Sequence, residues 1–305
     1  MCAIFGVMDY RGNLEGIQRL RLVKALGTAA EVRGTDATGI AFFQRNRLCI
    51  QKAAKPAHKM KYRIPSEVRY IMGHTRMTTQ GHASKNQNNH PFSGRAGGTA
   101  FALAHNGVLH NDRELRYEHN LPKMDIETDS YVAVQLIEQQ KELTFDSLCA
   151  MAEAVEGSFV FTVLDQDNSL YFVKGDNPLT IYHYPKLGLY LYASTEDILL
   201  TALSGLWLEK LDPEIIQPED GAILRIDRHG QRNHAKFTMV DSWSAWMLPA
   251  WEPARAFDRR WPVSEYIEDL KSVAGGCGYT AEEIDELLIT GCTLEEIEDM
   301  LYCGG

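Results

Sequence analysis

Short apolar runs with alternating polar positions, punctuated by Gly, Pro, Asn and Asp, recur along the first 240 residues. This pattern predicts strands over residues 3–8, 39–44, 48–52, 70–76, 100–105, 159–164, 170–173, 180–184, 188–193, 222–226 and 234–240. A helical period replaces it in three blocks. Residues 17–32 set Ile17, Leu20, Val23 and Ala30 near one face, and residues 130–141 and 145–155 read likewise, the last with Thr144 as N-cap. Helices gathered in blocks between antiparallel hairpins predict an α+β layered fold rather than a repeated βαβ winding.

Beyond residue 240 the pattern changes. Residues 241–262 hold Trp243, Trp246, Trp251 and Trp261 together with Pro249 and Pro253, and no regular period fits them. They read as an irregular strap whose indoles pack on the preceding domain, with a partner-docking surface as the alternative. In the tail, residues 280–288 are echoed by residues 293–301, each copy opening with a capping box, Thr280 with Glu283 and Thr293 with Glu296, and each followed by a glycine, Gly291 and Gly304. Helices this short are marginal alone, so residues 263–305 are expected to form an acidic helical hairpin that packs on this chain or on a partner. The organisation expected is therefore a domain over 1–240, a connecting strap over 241–262 and a helical tail over 263–305.

Composition narrows the function classes. The 305 residues carry a formal charge of −10, which argues against a nucleic-acid or anionic-membrane partner, since phosphate surfaces are met by clustered Lys and Arg. One short basic run, from Lys52 to Arg63, reads as a solvated face. No window reaches the roughly 20 apolar residues of a spanning helix, and no basic-then-apolar leader opens the chain, so a cytoplasmic protein is expected. The six cysteines are scattered without a C-x-x-C pair, which suggests neither a zinc site nor a disulfide framework. No P-loop or dinucleotide fingerprint occurs, and no cofactor or metal is expected.

The candidate chemistry starts at Cys2. Removal of Met1 would put a thiol and a free α-amino group on one residue, and an α-amino group titrating near ~7.7–8.0 can take and return the thiol proton. Behind it come His74-Thr75-Arg76-Met77-Thr78-Thr79-Gln80-Gly81, then Asn88-Asn89-His90-Pro91-Phe92, Ala104-His105-Asn106-Gly107 and Glu127-Thr128-Asp129-Ser130. In this order the pieces resemble the glutaminase domain of class II glutamine amidotransferases, which are N-terminal-nucleophile hydrolases. Supporting matches are Arg33-Gly34-Thr35-Asp36-Ala37-Thr38-Gly39, Glu156-Gly157-Ser158-Phe159 and Gly175-Asp176-Asn177-Pro178-Leu179. The resemblance covers roughly residues 2–240 and is similar to the glutaminase halves of glucosamine-6-phosphate synthase and amidophosphoribosyltransferase.

The resemblance implies a four-layer αββα sandwich with Cys2 at the end of a central strand. It implies Cys2 as nucleophile with its own α-amino group as base, and Asn106 and Gly107 as oxyanion donors through a side-chain amide and a backbone N–H. Arg76 would bind the α-carboxylate of L-glutamine, Asp129 its α-ammonium, and Thr79 would line the pocket. Residues 80–98 resemble the loop that closes over bound glutamine. His74 and His90 read as structural. Two departures stand out: Ala3 where glycine is common, and Gln80 where histidine is common in the synthase group. No acceptor domain is recognised after the glutaminase resemblance, so the ammonia is expected to pass to a separate synthase, while a homo-oligomer stays open. The rival readings are an N-terminal-nucleophile amidase acting on another linear or γ-glutamyl amide, and a glutamine-sensing adaptor.

Overall fold

A strand buried on both faces must be covered twice, because its side chains alternate between the two sides. The computed structural model describes residues 2–239 and, beyond them, residues 267, 271, 274, 279–289, 292 and 297. Its strands, numbered in chain order, form two antiparallel sheets. One contains β1 (Ala3–Asp9), β2 (Ala37–Gln44), β3 (Arg47–Ala53), β4 (Tyr70–Arg76), β9 (Thr180–Tyr184), β10 (Leu189–Ala193) and β11 (Glu214–Ile216), in the order β11-β9-β10-β1-β4-β2-β3. The other contains β5 (Phe92–Ala96), β6 (Thr99–Leu109), β7 (Gly157–Asp165), β8 (Leu170–Lys174), β12 (Ala222–Ile226) and β13 (Arg232–Lys236), in the order β13-β12-β8-β7-β6-β5.

Alternation sorts the apolar residues into three layers. From β1, Ala3, Phe5 and Val7 point to a core shared with α1 (Gly16–Ala29) and α5 (Glu196–Leu203). Ile4 and Met8 point the other way, to a core between the sheets that includes Tyr190, Tyr192, Val160, Leu164 and Phe172. From β6 and β7, Phe101, Leu103, Phe159, Phe161 and Val163 face a third core with α3 (Tyr131–Gln139) and α4 (Phe145–Ala154). The order helix, sheet, sheet, helix is the four-layer α+β sandwich expected. Each large apolar side chain so enclosed contributes about 1.5–3 kcal/mol.

Local signals account for most boundaries. Thr144 caps α4 in a reciprocal box: its Oγ1 accepts from the Ser147 N–H at 3.3 Å and its own N–H donates to the Ser147 Oγ at 2.9 Å. Four elements were not expected: β5, β11, α2 (Asp112–Glu118) and α5. The β5 segment, Phe-Ser-Gly-Arg-Ala, has little strand character of its own and is held by pairing with β6, so the stretch expected as a loop over 80–98 ends in a strand. The apolar face expected for the first helix also shifts. Ile17 is exposed, and the buried face is Arg19, Leu22, Val23, Leu26 and Gly27.

Arg19 is buried because Asp9, fully enclosed at the end of β1, holds its Nη1 at 2.7 Å, while Nη1 also donates to the Leu14 carbonyl and Nη2 to that of Ser66. Asp9 also accepts the N–H groups of Asn13 and Leu14. On one flank of the sandwich, Arg232 of β13 meets Glu214 of β11 at 2.8 Å, joining the outermost strands of the two sheets.

The chain divides into two compact units, Met1–Trp243 and Ser244–Gly305. Within the second, α6 (Ala281–Ile289) starts with the expected capping box: the Thr280 N–H donates to Glu283 at 2.7 Å and the Glu283 N–H to Thr280 Oγ1 at 3.3 Å. Ile284 packs with Ala274 and Ile297. The tryptophan strap lies outside the described residues, as does the second repeat except for Ile297, which is helical. Among the described residues no helix is long and apolar enough to cross a membrane.

Removing one member of the Asp9–Arg19 pair leaves a buried charge uncompensated. Asp9→Ala is therefore expected to lower stability by about 3–5 kcal/mol, and Asp9→Leu combined with Arg19→Met to recover much of the loss, both read as urea midpoints.

Candidate active site

Register places the first candidate. In the antiparallel pairing of β1 with β4, Ala3 lies opposite Thr75, so Cys2 and Arg76 are neighbours at the same end of adjacent strands. The Cys2 carbonyl accepts from Arg33 Nε at 2.8 Å, and its Sγ donates to the Met77 carbonyl at 3.4 Å. Burial pushes the Cys2 thiol up from its ordinary range; Arg76 opposes that shift and Asp129 adds to it. Ala3 has no positive φ and is fully buried in strand geometry, so its methyl fits where glycine is common.

Arg76 is buried and its fork is already occupied. Nη1 donates to Asn89 Oδ1 at 2.7 Å, while Nη2 donates to the carbonyls of Gln80 and Gly81. Its guanidinium is influenced by both Cys2 and Asp129, which brings the three charge-bearing candidates into one neighbourhood. Thr79 sits exposed on the same loop. The Thr78 N–H donates to Asp36 at 2.7 Å, tying the loop to the chain just before β2.

The second sheet supplies the opposite wall. Asn106, on β6, is 1% exposed, yet neither its Oδ1 nor its Nδ2 has a partner among the described residues. Leaving such an amide unsatisfied costs about 1–3 kcal/mol, and natural proteins rarely accept this without a use for it. Its backbone carbonyl accepts from Asn177 Nδ2 at 3.1 Å, which steadies the strand beside the free amide. Gly107 follows with φ +150°, and a Cβ there would lie 1.8 Å from the Ser158 carbonyl oxygen, so only glycine fits. Asp129 is buried: Oδ2 accepts the Leu109 N–H at 2.7 Å and Oδ1 the Ser130 hydroxyl at 3.2 Å.

Three buried imidazoles join the two walls. His74 Nε2, from β4, donates to the His105 carbonyl of β6 at 2.9 Å, and His105 Nδ1 meets Ser130 Oγ at 2.8 Å. If Ser130 donates to Asp129, the proton on His105 Nδ1 points to Ser130, giving a relay of fixed polarity. His90 lies against His74 in a tilted arrangement with ring centres 4.2 Å apart, and both its nitrogens lack a partner among the described residues. Burial lowers all three, His74 to about 3, so they stand neutral beside Arg76. Among the described residues no group of three or more His, Cys, Asp or Glu is arranged to hold a metal ion.

Residues 74–201, which run from His74 through Arg76, Asn106 and Asp129, match the family model described as a glutamine amidotransferase domain. This part of the chain is a glutamine amidotransferase domain. Among curated relatives, the isomerizing glutamine–fructose-6-phosphate aminotransferase of Sulfurisphaera tokodaii is 32% identical over 190 residues, covering 59% of this chain and 31% of its own length. That of Chlamydia trachomatis is 30% identical over 181 residues, covering 55% and 27%. The chain thus spans less than a third of the length of these relatives. Among solved structures, the glutamine phosphoribosylpyrophosphate amidotransferase of B. subtilis superposes with a TM-score of 0.60 over 78% of this chain and 50% of that chain, at 20% identity. A second, titled the allosteric regulatory enzyme of purine biosynthesis, gives 0.58 over 78% and 50%, also at 20%. These two likenesses show a shared fold.

Some residues that shape this candidate site were not singled out in sequence. Arg33, Asn89 and Asn177 lie in the motif blocks but carry no chemistry on inspection; each acts by holding Cys2, Arg76 or Asn106 through a hydrogen bond. Met77 contributes a carbonyl, which no side-chain pattern reveals.

The neutral imidazoles set a pH dependence. Their folded pKa values are lowered, so below the ordinary value of 6.5 the unfolded chain binds protons that the folded domain refuses, and stability falls as pH drops toward about 3, the value for His74. Each such histidine contributes a slope of up to ~1.4 kcal/mol per pH unit. The urea midpoint is expected to fall between about pH 7 and 5, above the usual carboxylate range, and imidazole nitrogen shifts for His74 should remain those of a neutral ring throughout.

Proposed function

We propose that the chain hydrolyses the side-chain amide of free L-glutamine to glutamate and ammonia, with Cys2 as nucleophile, and passes the ammonia to a separate synthase. The observation that carries this reading is the side-chain amide of Asn106, buried and without a partner among the described residues, one position after the His105 carbonyl that His74 reaches from the strand ending in Arg76. A donor kept dry and unsatisfied in the resting state is what a developing oxyanion needs, because no reorganisation is then required when the charge appears.

Removal of what precedes Cys2 frees its α-amino group, which takes the thiol proton as the sulfur attacks the amide carbon. Asn106 Nδ2 and the Gly107 N–H stabilise the oxyanion. The protonated amine then protonates the leaving nitrogen, ammonia departs, and water hydrolyses the thioester with the amine again acting as base. Recognition would use Arg76 for the α-carboxylate, with Asp129 accepting from the α-ammonium and Thr79 contributing from the loop. Because Arg76 Nη2 is held by the Gln80 and Gly81 carbonyls, a carboxylate that accepts from Nη2 would displace them, which couples this mode of binding to movement of the loop. The demand for both charged groups favours the free amino acid over an amide inside a peptide. The free thiols Cys2, Cys49, Cys149 and Cys292 support a reducing, cytoplasmic setting.

Ammonia release from glutamine tests the reading. Cys2→Ala is expected to abolish turnover while leaving the thermal transition intact, and turnover that survives this change removes Cys2 from the mechanism. Asn106→Ala should lower kcat by about 10²–10³ with little change in KM. Arg76→Lys keeps the charge but loses the fork, so it should raise KM more than it lowers kcat; an equal effect of both changes on KM alone would remove the division of roles.

A further inference from the structure

The basic run of the sequence is not spread over a convex surface. It rims a groove of about 750 Å³ on the flank of the sandwich, where β3, the outer strand of one sheet, lies beside β5, the outer strand of the other. Lys52, Lys55, Lys61 and Arg63 all line it, and no Asp or Glu does. In a chain of net charge −10 such a concentration of positive charge is out of keeping with its surroundings. Lys55, Lys61 and Arg63 are exposed, and their side chains make no ion pair or hydrogen bond among the described residues. Like charges brought around one concavity without carboxylates repel one another, and an anion between them relieves the repulsion.

The interior of the groove is apolar and partly flat. Met60, Phe92 and Tyr131 are buried side chains that reach its wall, and Met124 and Ile126 lie across from them. The volume falls within the roughly 300–1,000 Å³ of small-molecule sites. Single carboxylates would leave most of the four cations unmatched, whereas a phosphate monoester brings up to two charges and three acceptor oxygens.

Lys52 links the groove to the site already described. Its Nζ donates to the Asn89 carbonyl at 2.6 Å and lies 3.4 Å from those of Gln87 and Pro91, with the Phe92 ring centre 5.0 Å away. The side chain of the same Asn89 holds Arg76.

We propose that this groove binds a small phosphate monoester with a flat or apolar body, its phosphate among Lys55, Lys61 and Arg63 and its body against Phe92 and Tyr131. Through Lys52 and Asn89 its occupancy alters the setting of Arg76, a clause that rests on the glutaminase reading.

Phenyl phosphate is the minimal probe of this chemistry, with inorganic phosphate and phenol as its separated halves. In full-length protein carrying ¹³C-labelled methionine methyls, phenyl phosphate is expected to shift Met60 and Met124 while Met8 and Met72, enclosed between the sheets, stay in place. Either half alone should bind more weakly, and added salt should weaken all binding. Lys61→Glu with Arg63→Glu, both exposed positions, should reduce affinity at least about tenfold without changing the thermal transition. No shift of Met60 and Met124 with phenyl phosphate, or the same affinity in the double variant, overturns the site. A shift seen only with a glutamate-rich peptide also overturns it, in favour of an acidic protein partner. This binding is measured without glutamine, so it stands apart from the catalytic reading. In the ammonia assay phenyl phosphate should change the glutamine KM of the wild type and not of the double variant; binding with no change in KM removes the link to Arg76.

Discussion

The pairing of β1 with β4 is the constraint on which the rest of the site depends. β1 lies between β10 and β4, with hydrogen-bonded neighbours on both sides, so a slip of one residue would turn Phe5 and Val7 out of one core and Ile4 and Met8 out of another. The same register sets Cys2 beside Arg76. Position at the chain's first residues is ordinarily the least determined in a protein, and here it is determined by two ladders, by Asp9 and Arg19 at the far end of the strand, and by Arg33 on the Cys2 carbonyl.

Around that end of β1 the domain keeps polar groups in an environment that opposes them. The side-chain amide of Asn106 is enclosed without a partner among the described residues, the His90 ring likewise, and the Cys2 thiol is pushed toward its neutral form by burial. Each of these weakens the fold, and the deep cores on either side of the two sheets offset them. The polarity is also economical in charge: the imidazoles of His74, His90 and His105 are neutral, so the charged groups of this neighbourhood are Arg76 and Asp129, each already held by hydrogen bonds to nearby backbone and side chains.

Much of this was legible in the chain because it rests on local signals. The bounds of some strands, such as Tyr70–Arg76 and Thr180–Tyr184, agree to the residue, and Thr144 announces α4. What escaped depends on partners distant in sequence. β5 exists through β6, the buried face of α1 is set by Arg19 reaching Asp9, and Lys52–Arg63 looks like a solvated run until the edge of the second sheet is brought against it. Among site residues, side chains in motif blocks could be named from sequence, while the carbonyls of Met77, Gln80 and Gly81 could not, since every residue has one and only the fold decides which are aimed at a thiol or a guanidinium.

The two flanks of the sandwich differ in how they end. On one, Glu214 and Arg232 tie outermost strands together, and β13 presents Arg232, Asn233, His234 and Lys236 to solvent. A solvated pair of this kind adds only about 0–1 kcal/mol to stability. Its larger effect is on other molecules: a strand arriving to extend the sheet would have to strip water from Arg232 and Lys236 and from the carboxylates they meet, Glu214 and Glu219. That border therefore resists the edge-to-edge stacking through which exposed sheets grow into aggregates.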